Sequence, residues 1–258
     1  MPNKDRATLD YYNQAARKYR EIHRRPIQRY TEAQEKEAFQ PYLSPDQRVL
    51  DLGCGEGRTT RYLADWIEGP IFGADFSEAM IRVARSYSPT DRINFLVADA
   101  MDLSFKQNSL DVVISFTSFN NFPNPQRALE EISRVLKPGG LFLALIINGD
   151  EWARWARYVY LAPYYLYLLF KPRSWHRRLF SREEVRRLLV PAFEIIELRG
   201  LRFWADFIPE FPFNFWPPLF PLLERWLGRL RPSDERLCRH PLYGRHARFH
   251  FVVGRVKK

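Results

Sequence analysis

Between residues 48 and 147 short apolar runs break off at glycine or aspartate, and between them apolar residues recur every three or four positions. Residues 48–52 are the first such run, stopping at Gly53, which predicts a buried strand entering a tight turn. A helix over about 58–66 leads to a strand over 71–74 that ends at Asp75. Ser77 is placed to cap a helix over 78–86. Strands follow over 93–97, ending at Asp99, and over 110–115, after the turn residues Gln107-Asn108-Ser109. Pro125 opens a helix to Leu136, Lys137-Pro138-Gly139-Gly140 stops it, and 141–147 is the fifth strand. This rhythm predicts βαβ units: a mostly parallel sheet with helices on both faces. No internal repeat is visible.

Ahead of the sheet, 7–24 has no Gly or Pro and sets Tyr12, Ala15, Ala16 and Tyr19 at helical spacing; a second helix is predicted over 31–39. The chain has 258 residues and reads as a single domain. Its 46% hydrophobic and 27% charged fractions exclude a disordered or collagen-like chain. Cys54 and Cys238 are too few for a disulfide scaffold and have no zinc spacing. No apolar segment near Met1 reads as a signal peptide, and the mostly apolar run 158–170 is too short to span a bilayer, so a cytoplasmic protein is expected.

Charge and aromatic content divide the chain. Residues 1–150 hold 19 Lys and Arg against 20 Asp and Glu, whereas 151–258 hold 21 against 10. The back part also holds 23 of the 40 Phe, Trp and Tyr residues. A net charge of +10 invites a nucleic-acid partner. The excess charge is mainly arginine interleaved with Trp, Phe and Pro, and no nucleic-acid module is appended, so nucleic acid is not the expected partner.

Ligands of an open parallel sheet bind beyond the carboxyl ends of its strands. The first end is Asp51-Leu52-Gly53-Cys54-Gly55-Glu56-Gly57, whose alternate glycines permit positive φ and let a ligand touch backbone. No Gly-Lys-Ser/Thr follows, so this is not a phosphate loop. The second end is Asp75, followed by Phe76; its carboxylate suits two ribose hydroxyls, or it caps a helix. The third, Asp99-Ala100-Met101, offers a carboxylate to an exocyclic amine beside a small residue. Three suitable residue types at three successive strand ends argue for one shared ligand.

The run Val49-Leu50-Asp51-Leu52-Gly53-Cys54-Gly55-Glu56-Gly57, then Gly73-Ala74-Asp75, Asp99-Ala100 and Pro123-Asn124-Pro125 leading to Glu131-Ile132-Ser133-Arg134-Val135-Leu136-Lys137-Pro138-Gly139-Gly140, resembles the class I S-adenosylmethionine-dependent methyltransferases, in their small-molecule branch. The resemblance covers about 45–147. It implies a Rossmann-like seven-stranded sheet with the last strand antiparallel, for which 194–198 and 248–253 supply the sixth and seventh strands. It implies S-adenosyl-L-methionine as cofactor, S-adenosyl-L-homocysteine as product, and methyl transfer to O, N or C of an acceptor. Residue by residue, it puts the methionine part on Asp51, Gly53 and Gly55, the ribose on Asp75, and the adenine beside Phe76 with its amine at Asp99 and Ala100. Ser115, with Phe116, would line the sulfonium side. Residues 12–19 resemble the Tyr-Asp-x-x-Ala-x-x-Tyr ahead of the sheet in this branch, which makes Tyr19 a cofactor contact; simple packing of both tyrosines on the core is the other reading. Many relatives carry His after strand four where this chain has Asn120-Asn121, so no catalytic base is assigned there. Of His23, His176, His240, His246 and His250, spacing selects none, and His250 between Phe249 and Phe251 reads as packed. Neither a nucleic-acid amine loop of the Asn-Pro-Pro-Tyr type nor a metal-binding Asp-Asn pair is present, so no metal is expected.

On this reading 1–44 are cap helices, 45–147 the cofactor-binding core, and 148–180 and 203–245 lid or substrate insertions. The insertions hold Trp152, Trp155, Tyr164, Tyr165, Phe211, Phe213, Phe215 and Trp216, which favours a hydrophobic, lipid-like acceptor. Leu219, Leu222, Leu223, Trp226, Leu227 and Leu230, interleaved with Arg225, Arg229 and Arg231, predict an amphipathic helix. Its apolar face either packs on the body of the protein or meets a greasy acceptor or a bilayer, which would put the protein peripherally on the inner face of the membrane. Two other functions remain: an RNA or DNA methyltransferase, and a cofactor-binding protein without turnover.

Overall fold

The computed structural model describes residues 3–88, 92–150, 178–207 and 217–257, with backbone alone at 3–5, 17–20, 22, 23, 206 and 207. Its strands are β1 (Val49–Leu52), β2 (Ile71–Asp75), β3 (Ile93–Val97), β4 (Leu110–Phe116), β5 (Leu136–Ile147), β6 (Phe193–Leu201) and β7 (Phe249–Val256). They form one sheet in the order β3-β2-β1-β4-β5-β7-β6. The first five pair in parallel, and β7 runs antiparallel to both neighbours. The expectation of a Rossmann-like sheet with its last strand antiparallel therefore holds.

The apolar runs are continuous because both faces of the sheet are covered. Leu50, Leu52, Val113, Phe142, Ala144 and Val252 enter one core with helices α5 (Pro125–Val135) and α6 (Arg182–Leu189). The alternate residues Val49, Val112, Ile114, Leu143 and Phe251 enter a second core. That core also takes in α2 (Pro26–Phe39), α3 (Arg58–Leu63) and α4 (Glu78–Ser86). Helix α1 (Asn3–His23) packs on α4.

Local chemistry fixes the helix starts. Ser77 Oγ accepts the Met80 N–H at 3.2 Å at the head of α4. Asn124 Oδ1 accepts the Arg127 N–H at 3.1 Å, with Pro125 in the first position of α5. Ser181 and Glu184 form a reciprocal capping box at α6. Elements extend further than the apolar pattern predicts: α2 begins at Pro26, and β5 begins at Leu136. In β5, Leu136 pairs with Leu110 and Leu141 with Val112, so 137–140 bulge between them.

The basic back part is described at 178–207 and 217–257, with helix α7 (Phe220–Arg239) packed on α2 and β6. The lid aromatics Trp152, Trp155, Tyr164, Tyr165, Phe211, Phe213, Phe215 and Trp216 lie outside the described residues, as does His176. So do the side chains of Tyr19 and His23. His250 is fully buried in β7, where burial pushes its imidazole down to about 4, in keeping with a packed residue. No described helix is long and apolar enough to cross a membrane.

Candidate active site

The carboxyl ends of β1 to β4 border a cavity of about 330 Å³, within the range of ligand pockets. The turn after β1 is its floor. Gly53, Gly55 and Gly57 have φ of 77°, 55° and 78°, all in the left-handed region. Gly53 N–H donates to the Ala74 carbonyl at 2.7 Å, tying the turn to β2. A Cβ on Gly55 would meet nothing within 4 Å, so this residue faces open cavity.

Asp75 closes the turn from β2. Its Oδ2 accepts the Gly55 N–H at 2.9 Å and its Oδ1 the Ser77 N–H at 2.9 Å. Each oxygen keeps acceptor capacity beyond those bonds. Burial raises the Asp75 carboxyl above its ordinary value, and the two N–H groups oppose that rise. Asp99 is exposed at the rim and accepts the Met101 N–H at 2.9 Å, while Ala100 is buried beside it. Gly53, Gly55, Asp75, Phe76, Asp99 and Ala100 thus border one cavity.

Asp51 and Ser115 do not border it. The Asp51 carboxylate is buried and accepts the Thr60 hydroxyl at 2.6 Å, behind the turn. Burial pushes its carboxyl up to about 7. Ser115 is fully buried, 2.7 Å from Ser118 Oγ, and it is Ser118 that reaches the wall. Ser118 Oγ donates to the Leu52 carbonyl at 2.8 Å, locking the end of β4 onto the end of β1.

Phe116, which the resemblance set on the sulfonium side, borders the cavity. Glu56 and Arg58 are charged, but Arg61 pairs with Glu56 at 2.7 Å and Glu35 with Arg58 at 2.9 Å. The Cys54 thiol is pushed well above its ordinary value by burial. Helix α1 reaches the cavity with Thr8 and Tyr12. It is held there by Ser77 Oγ donating to Asn13 Oδ1 at 2.6 Å and Asn121 Nδ2 donating to Tyr12 Oη at 3.1 Å. Asn121 Oδ1 is buried with no hydrogen-bond partner among the described residues. Its neighbour Asn120 is structural, pinning the Ile147 N–H at 2.7 Å and the Arg178 carbonyl at 2.7 Å. Among the described residues, no histidine borders the cavity. Among the described residues, no group of three His, Cys, Asp or Glu side chains is placed to hold a metal ion.

Residues 50–144 match the family described as "Methyltransferase domain". A protein of Methanocaldococcus jannaschii is 32% identical over 139 residues, which are 54% of this chain and 51% of that protein. A demethylmenaquinone methyltransferase of Symbiobacterium thermophilum is 38% identical over 112 residues, 41% of this chain and 45% of the relative. The chain thus spans about half the length of the curated relatives it matches. Among solved structures, a chain of the Haloferax volcanii complex containing the Trm112 methyltransferase activator superposes with a TM-score of 0.67. It is 25% identical, and the superposition covers 96% of this chain and 98% of that one. Residues 50–144 are thus similar to a methyltransferase domain, and the chain superposes over nearly its whole length on a solved chain from that methyltransferase complex.

Proposed function

We propose that the chain is an S-adenosylmethionine-dependent methyltransferase that transfers the methyl group to O, N or C of a hydrophobic small molecule. The observation that carries this reading is the pairing of Gly55 with Asp75: an open backbone cradle beside a carboxylate held by two N–H groups. A group with vicinal hydroxyls and a positive end suits that arrangement, since a carboxylate accepts both hydroxyls. Gly53, Gly55, Asp75, Phe76, Asp99 and Ala100 would hold the cofactor, with Asp51 and Ser115 supporting the wall from behind and Tyr19 as a further contact from α1. When bound, the cofactor supplies an electrophilic methyl carbon on a sulfonium.

The chain itself supplies position and a dry site. Phe76, Phe116 and Phe122 give the cavity apolar walls, and alignment of reactants can lower a barrier by roughly 7–11 kcal/mol. Aromatic faces favour a nearby cation by about 0.5–2 kcal/mol. No cavity residue is assigned as a general base. The same reading gives acceptor recognition to the insertions 148–180 and 203–245, whose aromatic content suits an apolar acceptor. The name of the Symbiobacterium thermophilum relative, demethylmenaquinone methyltransferase, supports a small-molecule acceptor.

Calorimetry with S-adenosylmethionine and S-adenosylhomocysteine tests the cofactor: binding of both is expected, and a folded protein that binds neither at millimolar ligand overturns the reading. Incubation with methyl-labelled cofactor and either a lipid extract or total RNA then tests the acceptor class. Label in the organic phase supports the proposal. Label in RNA, or none anywhere, supports a nucleic-acid enzyme or a binding protein without turnover.

A further inference from the structure

Helix α7 buries or pairs each of its carboxylates and leaves three of its arginines exposed without an ion pair among the described residues. Leu223, Leu227, Asp234 and Cys238 are buried along the side that packs on α2 and β6. Glu224 pairs with Arg29 of α2 at 2.6 Å, and Glu235 with Arg231 at 3.4 Å. Asp234 is completely buried, receiving Phe203 and Trp204 N–H groups at 2.8 and 2.5 Å. Every acidic residue of the helix is thereby engaged.

The remaining arc is of a different kind. At about 100° per residue, Leu222, Arg225, Trp226, Arg229, Ser233 and Arg236 fall within about 100° of one another, and all six are exposed. Leu222 is 47% and Trp226 56% exposed. Among the described residues, Arg225, Arg229 and Arg236 make no ion pair. Three uncompensated cations, a tryptophan and a leucine therefore share one strip of surface that contains no carboxylate.

We propose that this strip docks on an anionic lipid surface. Leu222 and Trp226 would enter the boundary between headgroups and acyl chains, and the guanidinium groups would take lipid phosphates in paired hydrogen bonds. Tryptophan suits that depth because its ring is apolar and its N–H polar. Charge complementarity favours an acidic membrane over a neutral one. Leu222 favours lipid over nucleic acid: an aliphatic side chain has no face to stack on a base, whereas leaving water for lipid stabilises it. The proposal names a surface for the lipid-like acceptor reading, yet it stands on the outer face of α7 and not on the cavity, so the two fail separately.

Co-sedimentation of the full chain tests it, with vesicles of phosphatidylcholine alone and of phosphatidylcholine with phosphatidylserine. Binding is expected only where phosphatidylserine is present, and it should weaken as salt is raised. Trp226→Ala should reduce partitioning about tenfold or more, and each Arg→Gln change at Arg225, Arg229 or Arg236 about fivefold. These side chains are exposed, so thermal midpoints and S-adenosylmethionine titrations should match the parent protein; this separates a failure of the surface from a failure of the cofactor reading. Absence of binding to anionic vesicles overturns the proposal, as does binding that survives both Trp226→Ala and the triple arginine variant. It is also overturned if RNA displaces the vesicles and the arginine variant loses RNA binding.

Discussion

A Cβ built on Gly53 would lie 2.2 Å from Ser118 Cβ and 2.5 Å from its Oγ. The end of β4 thus occupies the space a side chain on the β1 turn would need, while Ser118 bonds the Leu52 carbonyl one residue before that turn. Gly55, two residues on, has the same left-handed backbone but open space around it. The two glycines serve different ends: one permits close packing of strand termini, the other leaves room for a ligand.

Alanine at each position should separate those roles. Gly53→Ala is expected to cost about 2–4 kcal/mol of stability, from backbone strain plus overpacking against Ser118. Gly55→Ala should cost about 1–2 kcal/mol, from the left-handed backbone alone, yet it projects a methyl group into the cavity and should impair cofactor binding more than folding. Urea unfolding with and without S-adenosylhomocysteine reads both effects. Equal stability losses in the two variants would contradict the assignment.

Asp75 is expected to matter to ligand more than to fold. In Asp75→Asn one oxygen remains to accept an N–H, and the charge is gone. S-adenosylmethionine binding should weaken by about 1–3 kcal/mol, the range for hydrogen bonds involving a charged group. Calorimetry on the variant measures this, and an unchanged affinity would remove Asp75 from the site.

Asp51 should make a contribution to the stability of the free protein that falls as pH rises from weakly acidic to neutral. Its carboxyl is buried behind the turn and held near 7, against an ordinary value of 3.8. Between those values the folded chain holds a proton that the unfolded chain has released. The contribution is complete below the unfolded value and is lost as pH climbs through the folded one, with a limiting slope of about 1.4 kcal/mol per pH unit. Asp51→Asn keeps an acceptor for the Thr60 hydroxyl and removes the ionisation. His250, held near 4 by burial, contributes in the opposite sense over most of that span, so the difference between the two proteins is the readout: the thermal midpoint of Asp51→Asn relative to the parent protein should rise with pH across it.

The sheet and cavity were legible because they depend on short-range signals. Alternation sends Leu50 and Leu52 to one core and Val49 to the other, and each strand end carries its own glycine or aspartate. The Ser181-Arg182-Glu183-Glu184 capping box of α6 is equally local and was readable, though the apolar pattern around it is too short to draw attention. Ser118 was not legible, since its place at the wall follows from how β4 packs on the β1 turn. Periodicity in α7 predicted an apolar stripe, but it could not tell that Leu223 and Leu227 would be covered while Leu222 and Trp226 stayed in water. That division is set by which neighbours α7 meets, β6 and the sequence-distant α2.

Asp234 is the residue that makes those neighbours meet. Its Oδ1 accepts the N–H groups of Phe203 and Trp204 just beyond β6, and its Oδ2 accepts the Tyr30 hydroxyl at 3.0 Å and the Gln34 amide at 2.6 Å, both on α2. One buried carboxylate therefore joins α7 to a turn 31 residues earlier and to α2, 204 residues earlier at Tyr30, and burial together with that carboxylate pushes the Tyr30 phenol well up. Removing it leaves two backbone N–H groups and two side-chain donors buried without their partner, each worth about 1–3 kcal/mol if unsatisfied. Asp234→Ala should thus destabilise the α2–α7 contact by about 3 kcal/mol or more, whereas Tyr30→Phe, which removes one donor and leaves the carboxylate three others, should cost about 1 kcal/mol. Native-state hydrogen exchange localises the effect: amides of α7 and of the 203–207 turn should lose protection in Asp234→Ala while those of β1 and β4 keep theirs. Uniform loss across the sheet would mean that α7 is integral to the core and not an element held on it by a single carboxylate.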